Sequence, residues 1–312
     1  MRRPSDPRPG ESVLTPDLLI IGGGPAGCAA ALTAAGVGMR SVLIERDAVL
    51  CRKLYSIPAL NNVLGGFRTG PDLATAITAD LAANALCQVR TGLDVTAIAP
   101  GDEEVTVTLN DGTRLTAPHA VLATGVGPLQ PPGADWIEAP AGLRLPPLWE
   151  ADPAEATGCT WLIVGADRPL GTFLRAHPDL DITLLVPHPA TDAYKAEEVA
   201  ADPRVTLLPT PRLALTSALT AEPGGLRGDA AFTNIGSTPA APAGAVRDAD
   251  GYCPPDLQHP RLIVAGDLRS AQYQRIMTAS GSGAEAALCA YYAARGVSGA
   301  GVRPSSPARR PT

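Results

Sequence analysis

The sequence predicts an α/β fold with more than one domain, and three observations lead to this expectation. The chain has 312 residues, 45% of them apolar, which is enough for two domains with substantial cores. Residues 17–45 give the pattern of a strand, a glycine-rich turn, a helix and a second strand. A similar strand–helix–strand pattern follows at residues 160–187. Strands that alternate with helices are typical of parallel sheets covered by helices.

Composition limits the classes of partner. A net charge of −6 argues against a generic nucleic-acid binder, which would carry a basic face. No apolar run reaches the length of a membrane-spanning helix, so we expect no membrane partner. The arginines near the N-terminus are not followed by the apolar stretch of a secretory signal, which favours a cytoplasmic protein. Residues 1–11 and 297–312 are predicted to be flexible tails.

The first motif joins the strand at residues 17–22 to the sequence GGGPAG. Gly22 permits a tight turn, Gly24 lets the backbone approach a diphosphate, and Gly27 lets the helix pack closely on the strand. The N-terminus of that helix would hold the diphosphate. The next strand, SVLIE, ends in Glu45, whose carboxylate can accept hydrogen bonds from both hydroxyls of a ribose. The motif predicts a dinucleotide site formed by Gly22, Gly24, Pro25, Ala26, Gly27, Glu45 and Arg46.

Three further segments point to FAD as the dinucleotide. One strand runs into ATGVGP at residues 123–128, another runs into AGD at residues 265–267, and a helix with early serines and glycines follows. The sequences FTNIGSTP and DADGY lie between the two strands. Together with GGGPAG and Glu45, these motifs in this order make the chain resemble the thioredoxin reductase-like flavoproteins, the low-molecular-weight pyridine nucleotide–disulfide oxidoreductases. The resemblance covers residues 16–296.

The resemblance implies two Rossmann-like, three-layer nucleotide-binding domains, with the second inserted in the first. The FAD-binding domain would comprise residues 12–127 and 232–296. The NAD(P)-binding-like domain would comprise residues 128–231. The resemblance also implies that the chain binds FAD and forms a homodimer.

The resemblance extends the cofactor site beyond the first motif. Asp267 would bind the ribityl chain, and the backbone at Arg275 and Ile276 would approach the pyrimidine end of the flavin. Asn62 would lie beside the isoalloxazine, and the main chain of Val95 would contact the adenine. The cofactor-binding residues implied in these later segments are Lys53, Asn62, Val95, Thr124, Gly125, Gly266, Asp267, Arg275 and Ile276.

Two departures from the family bear on a second nucleotide. The inserted domain has GADRPL between its first strand and its helix, so Asp167 replaces the second glycine of the fingerprint. A carboxylate about 5 Å from a phosphate costs about 3 kcal/mol at an effective dielectric constant of about 20. The next strand ends in PHPA at residues 187–190, where NADPH-using relatives carry an arginine pair. We therefore expect weak or absent NAD(P)H binding. The alternative is a rearranged site in which Arg168 or Arg175 reaches the phosphate.

The disulfide chemistry of thioredoxin reductases is also missing from its usual place. Between Ala141 and Thr160, where a C-x-x-C sequence would stand, the chain has only Cys159. By the resemblance, Cys51 lies near the flavin beside two cationic residues, which can lower the pKa of a thiol. Cys51 is therefore either a redox thiol or, as we expect, a structural one. The histidines and cysteines form no metal-binding pattern.

Three features near the flavin leave alternatives open. Tyr273 could stack on the flavin ring or pack against the protein. Lys53 stands where the family usually has a glutamine. Together with Arg52 and Arg68 it could form a cationic rim that receives an acidic electron carrier, although for each residue taken alone we expect a charge on a solvated loop.

These observations lead to one expected function and two alternatives. We expect an FAD-dependent oxidoreductase that lacks the redox dithiol and receives electrons from a protein donor such as ferredoxin or flavodoxin. Electron transfer at the edge of a flavin needs no acid, base or nucleophile from the protein. The alternatives are an NAD(P)H-dependent enzyme of the ferredoxin–NADP reductase type and a flavin-binding sensor or scaffold without turnover.

Overall fold

The computed structural model describes residues 16–216 and 219–297, and strands and helices are numbered in chain order. The predicted tails 1–11 and 297–312 lie outside the described residues, except for Val297. The first sheet has five parallel strands, in the spatial order β18 (Leu262–Val264), β7 (His119–Leu122), β1 (Leu18–Ile21), β2 (Ser41–Glu45) and β3 (Cys87–Thr91). Every residue of β1 and β2 is buried, as expected for the centre of a sheet covered on both faces.

Different layers cover the two faces of this sheet. One face packs against α1 (Pro25–Gly36), α2 (Gly70–Ala82) and α5 (Ile276–Ala293). The other face packs against an antiparallel sheet formed by β4 (Val95–Pro100), β5 (Val105–Leu109) and β6 (Arg114–Ala117). Because side chains alternate along a strand, Leu18 and Ile20 join the helical core, while Leu19 and Ile21 join the other. The result is a three-layer domain.

Helices α1 and α5 pack closely together because their contact residues are small. A Cβ atom on Gly283 of α5 would lie 1.9 Å from the carbonyl oxygen of Ala26 in α1. Alanines of both helices, including Ala30 and Ala287, are fully buried at the same core. The alanine- and glycine-rich sequences therefore bring the start of α5 against the start of α1.

The second sheet has four parallel strands, in the order β12 (Val205–Pro209), β11 (Ile182–His188), β10 (Cys159–Val164) and β16 (Ala230–Thr233). One face packs against α3 (Pro169–Ala176) and the short α4 (Ala193–Ala196). The other packs against a small sheet in the order β15 (Leu226–Arg227), β14 (Thr220–Glu222), β13 (Leu213–Leu215) and β9 (Ile137–Glu138). Trp161 anchors the helical side, with the rings of Phe173 and Phe232 centred 5.7 and 4.7 Å away.

The chain passes between the two domains twice. β8 (Val126–Pro128) leads into the second domain and pairs antiparallel with β17 (Ser237–Pro239), which leads back. The predicted boundary between residues 231 and 232 falls inside β16, all of which belongs to the second sheet. Two three-layer α/β domains, one inserted in the other, confirm the predicted fold class. None of the helices in the described ranges combines the length and apolar character needed to cross a membrane.

Candidate functional site

The glycine turn after β1 has the geometry that the sequence predicts. Gly22 has φ +104°, and a Cβ atom there would lie 2.4 Å from the carbonyl oxygen of Ala123. A Cβ on Gly27 would lie 1.8 Å from the carbonyl oxygen of Gly22, so the turn and α1 require glycine at both positions. A Cβ on Gly24 would meet no atom within 4 Å. Gly24 therefore leaves open space above its backbone, and Pro25 begins α1 there.

The carboxylate of Glu45 is fixed at the end of β2. The residue is only 9% exposed. Its Oε2 accepts a hydrogen bond from the backbone N–H of Gly23, and its Oε1 accepts one from the N–H of Asp47 at 2.8 Å. Each carboxylate oxygen has further acceptor capacity, so Glu45 can still bind ribose hydroxyls.

A cavity of about 450 Å³ opens at the carboxyl ends of these strands. Its walls come from β1, β2, β4 and the segment after β7, which is where ligands bind in open α/β sheets. Five residues predicted to contact the cofactor line this cavity: Gly22, Glu45, Arg46, Val95 and Thr124. The remaining lining residues, which the sequence did not predict, are Ile21, Ile44, Leu93, Asp94, Thr96 and Ala240–Ala243.

The unpredicted wall at residues 240–243 is held by β4. The carbonyl oxygen of Ala243 accepts a hydrogen bond from Ile98 N at 2.8 Å, and Ala243 N donates to Thr96 O at 3.2 Å. Gly244 has φ +93°, and a Cβ on it would lie 1.8 Å from the carbonyl oxygen of Ile98. The run of small residues AAPAG is the one sequence signal for this close approach.

The cavity fits the adenosine and diphosphate portion of a dinucleotide. It is lined by Gly22 and by the buried carboxylate of Glu45. The open backbone at Gly24 and the N-terminus of α1 follow Gly22 directly in the chain, although they do not line the cavity. The hydroxyl oxygen of Thr124 is buried in the wall and has no hydrogen-bond partner within the described residues. A buried polar atom of this kind is normally satisfied, so Thr124 is suited to contact a polar ligand.

The residues predicted for the flavin end lie outside this cavity. Lys53 Nζ donates a hydrogen bond to the carbonyl oxygen of Val126 at the start of β8. Displacement of water by the surrounding protein lowers the pKa of Lys53, and the negative charge of Asp267 opposes this shift. Burial likewise raises the pKa of Asp267, with Lys53 opposing. The two charges therefore influence each other, and the placement of both residues at the flavin stays a prediction.

The other predicted residues are scattered around the same end of the domain. Asn62 is exposed in a loop, Arg275 is the exposed residue before α5, and Ile276 begins that helix. Gly125 has φ +66° and open space around it. Gly266 has φ +73° and approaches Ala26, so that it joins the start of α1 to the segment before α5.

Tyr273 lies in that segment with an uncommon backbone conformation. Its φ is +63°, in the left-handed region, and its side chain is 78% exposed. The Tyr273 ring therefore does not pack against the rest of this chain, and stacking on the flavin ring stays the open alternative. Such strained residues cluster at functional sites.

In the second domain, the turn between β10 and α3 contains an ion pair. The Asp167 carboxylate lies 3.5 Å from Lys195 Nζ, and Lys195 also lies 3.3 Å from Asp192. Although burial alone would lower it, the two carboxylates raise the pKa of Lys195. From the sequence, Asp167 appears as an unpaired charge, because Lys195 follows it by almost thirty residues. The Asp167 carboxylate is thus fixed in place by Lys195, which also offsets its negative charge.

The adenosine end of the second domain differs from a nucleotide clamp. β11 ends in His188, which is buried and whose Nδ1 contacts the carbonyl oxygen of Pro189 at 3.0 Å. Of the two arginines considered for a rearranged site, Arg175 forms an ion pair with Glu198, and Arg168 is exposed at the start of α3. Because Arg175 already pairs with Glu198, its guanidinium is not free to bind a phosphate.

The structure shows the surroundings of Cys159 and Cys51 and of two arginines of the expected cationic rim. Cys159 begins β10 and donates weakly to backbone carbonyls. Cys51 is buried beside Cys28, with their sulfur atoms 3.8 Å apart. The hydrogen bond between the two thiols, and then burial, raise the pKa of Cys28. Arg52 lies 3.2 Å from Asp47 and 3.7 Å from Glu150, so its charge in the rim is offset. Arg68 is exposed.

Comparisons with known proteins agree with this geometry. Residues 16–150 match the family described as "Pyridine nucleotide-disulphide oxidoreductase". Among solved structures, Lactococcus lactis thioredoxin reductase in its FR conformation has a TM-score of 0.72 at 20% identity, covering 88% of this chain and 98% of that one. Thioredoxin reductase of T. acidophilum has a TM-score of 0.68 at 18% identity, covering 89% and 98%.

A third similar structure is the bacillithiol disulfide reductase Bdr of Bacillus cereus, with a TM-score of 0.65 at 16% identity, covering 90% of this chain and 99% of that one. A comparison with curated proteins finds no match. The family match and the fold support the predicted FAD cofactor and an oxidoreductase activity. The chain therefore shares the fold of these thioredoxin reductases, and its residues 16–150 match the pyridine nucleotide-disulphide oxidoreductase family.

Proposed function

We propose that this protein is an FAD-dependent oxidoreductase that receives electrons from a protein donor such as ferredoxin or flavodoxin, not from NADPH. Bound FAD supplies the two-electron redox chemistry. Glu45 would hold the adenosine ribose, the turn at Gly24 would bind the diphosphate, and Asp267 and Lys53 would face the flavin portion. A homodimer and a cytoplasmic location stay predictions from the sequence.

The observation that carries the proposal is the Asp167–Lys195 ion pair in the second domain. Phosphate binding at a helix N-terminus needs backbone N–H groups that are open to the ligand. Here the Asp167 carboxylate stands at the turn before α3 and is anchored by Lys195 at 3.5 Å. Desolvating this pair and displacing the carboxylate would oppose binding of a second anion at the same place.

The strand end supports the same conclusion independently. A 2′-phosphate needs cationic side chains where β11 ends, but the sequence there is PHPA. His188 is buried at that end, and its Nδ1 contacts the backbone. The diphosphate and adenosine parts of NADPH would therefore both lack their usual partners in this domain.

One observation favours NADPH as an alternative donor. Lys195 lies close to the fingerprint turn, and a lysine can bind phosphate as a point charge. If Asp167 rotated away, Lys195 would become a phosphate ligand. Against this, Lys195 has a second carboxylate partner in Asp192 at 3.3 Å, which would continue to hold it.

Calorimetric titration with NADPH and NADH tests the proposal. We expect no saturable binding to the FAD-loaded protein up to millimolar nucleotide. Asp167→Gly removes the carboxylate and its bulk but should not create tight binding, because Asp192 still holds Lys195 and the strand end still lacks arginines. Adding Pro187→Arg and His188→Arg to Asp167→Gly should make NADPH bind more tightly than NADH. Micromolar NADPH binding by the unmodified protein would support the alternative.

A further inference from the structure

Two cysteines that are distant in sequence meet behind the diphosphate-binding turn. Cys28 lies in the first turn of α1, and Cys51 immediately precedes a short 3-10 helix at Arg52–Ser56. Their sulfur atoms are 3.8 Å apart. Cys28 is 1% exposed and Cys51 is 3% exposed. No other thiol–thiol hydrogen bond is present in the part of the chain that the structure describes.

Both cysteines are positioned by the same backbone carbonyl. The Cys28 thiol donates to the carbonyl oxygen of Gly23 at 3.2 Å, and the backbone N–H of Cys51 donates to the same oxygen at 2.8 Å. Cys51 also has φ +55°, a left-handed conformation that is uncommon for a residue with a side chain. Such a conformation persists where the surroundings impose it. The two sulfurs are therefore held together by the architecture of the turn.

We propose that Cys28 and Cys51 are a redox pair that closes to an intramolecular disulfide. The bond would join α1, directly behind the glycine turn, to the 3-10 helix that carries Lys53. The sulfur atoms must approach from 3.8 Å to the bonded distance of about 2.05 Å, which side-chain rotation and a small shift of the 3-10 helix can supply. This pair is distinct from the C-x-x-C dithiol sought in the second domain.

The oxidant is a small-molecule disulfide, and the exchange balances in two steps. A thiolate of the pair attacks the reagent, forms a mixed disulfide and releases one small thiolate. The second protein thiolate then attacks the mixed disulfide, forms the Cys28–Cys51 bond and releases the second small thiolate. Two electrons pass from the protein to the reagent, and the two thiol protons pass to the released thiolates. A small dithiol reverses the reaction.

The environment of the pair makes closure slow at neutral pH. The hydrogen bond between the two thiols, and then burial, raise the pKa of Cys28, so its reactive thiolate is scarce. Both sulfurs are also shielded from solvent. Oxidation should therefore accelerate as the pH rises, and it should be slower than modification of Cys289, which is exposed.

Peptide mapping of the wild-type protein tests the proposal without any substitution. The full chain, with and without FAD, is incubated with excess oxidised glutathione at mildly alkaline pH, then quenched in acid and alkylated during denaturation. Trypsin cleaves after Arg40 and Arg46, which separates the two cysteines. We expect a peptide pair linked through Cys28 and Cys51, lost after treatment with dithiothreitol. Cys28 and Cys51 that are still fully alkylated after an incubation many times longer than the complete modification of Cys289 requires would overturn the proposal.

Matched variants add a second measurement. Oxidation should raise the unfolding temperature of the FAD-free protein, because the bond closes the loop between residues 28 and 51. The rise should be lost in Cys28→Ala and in Cys51→Ala but kept in Cys253→Ala, which changes an equally buried cysteine elsewhere in the domain. An equal rise in all three variants would contradict the assignment. Because the FAD-free protein is used, the result is independent of the proposed electron donor.

Discussion

Replacing Glu45 with alanine should weaken FAD binding about 10- to 150-fold. The carboxylate lines the cavity and is oriented by the N–H groups of Gly23 and Asp47. Charge-assisted hydrogen bonds to a ribose contribute about 1.5–3 kcal/mol, which converts to that range of affinity. The substitution also leaves the buried N–H of Gly23 without its acceptor, which costs about 1–3 kcal/mol of stability.

The dissociation constant should be measured by titrating FAD-free protein with FAD and following the change in flavin fluorescence. Glu45→Gln keeps the size of the side chain and one acceptor oxygen, so its loss should be smaller than that of Glu45→Ala. Glu103→Ala removes an exposed carboxylate in the turn between β4 and β5 and should leave affinity unchanged. If folded Glu45→Ala protein binds FAD as tightly as the wild type, Glu45 does not hold the ribose.

Three further predictions concern the turn, the missing dithiol and the second domain. Gly24→Ala should unfold near the wild-type temperature but bind FAD about tenfold more weakly, because its Cβ meets no protein atom yet occupies the approach to the diphosphate. Gly27→Ala should instead lower the unfolding temperature sharply, because its Cβ would lie 1.8 Å from a carbonyl oxygen. Incubation with NADPH, thioredoxin and a thiol reagent should release no enzyme-dependent thiol, since the second domain has a single cysteine and Cys28 and Cys51 are buried; steady turnover would contradict this. Asp202→Asn should lower the free energy of unfolding by about 1–3 kcal/mol at neutral pH, measured with denaturant. Hydrogen bonds from Arg204 hold the pKa of Asp202 below its ordinary 3.8, so this difference should shrink as the pH falls through the lowered pKa; a gap that persists in acid would be inconsistent with that origin.

The first half of the cofactor site could be predicted from sequence because its information is local. The turn from Gly22 to Gly27 and the acid at Glu45 belong to one strand–helix–strand unit, whose geometry follows from the spacing of the residues. The same local pattern predicts β10, α3 and β11, which the structure confirms. The spacing of apolar residues and the positions of the glycines therefore predict the first strand–helix–strand unit of each parallel sheet.

Other parts of the site depend on contacts between segments that are far apart in the chain. The wall at residues 240–243 reaches the cavity only because β4 holds it, and nothing in its small residues indicates that partner. Lys195 neutralises Asp167 from a different helix. In the sequence, Cys28 is one of many small residues in an alanine-rich helix, and nothing there indicates that Cys51 lies beside it. Long-range pairing of this kind is set by tertiary packing, which short sequence patterns do not encode.

The most direct test of the central proposal is an anaerobic reduction of the FAD-loaded protein. Reduced ferredoxin and NADPH are added separately, and the visible absorption of the flavin is followed over time. We predict rapid loss of that absorption with reduced ferredoxin and none with NADPH, because we propose that the Asp167–Lys195 ion pair and the buried His188 oppose binding of a second nucleotide. Rapid bleaching by NADPH would contradict the account, and resistance to both donors and to flavodoxin would favour a flavin-binding sensor without turnover.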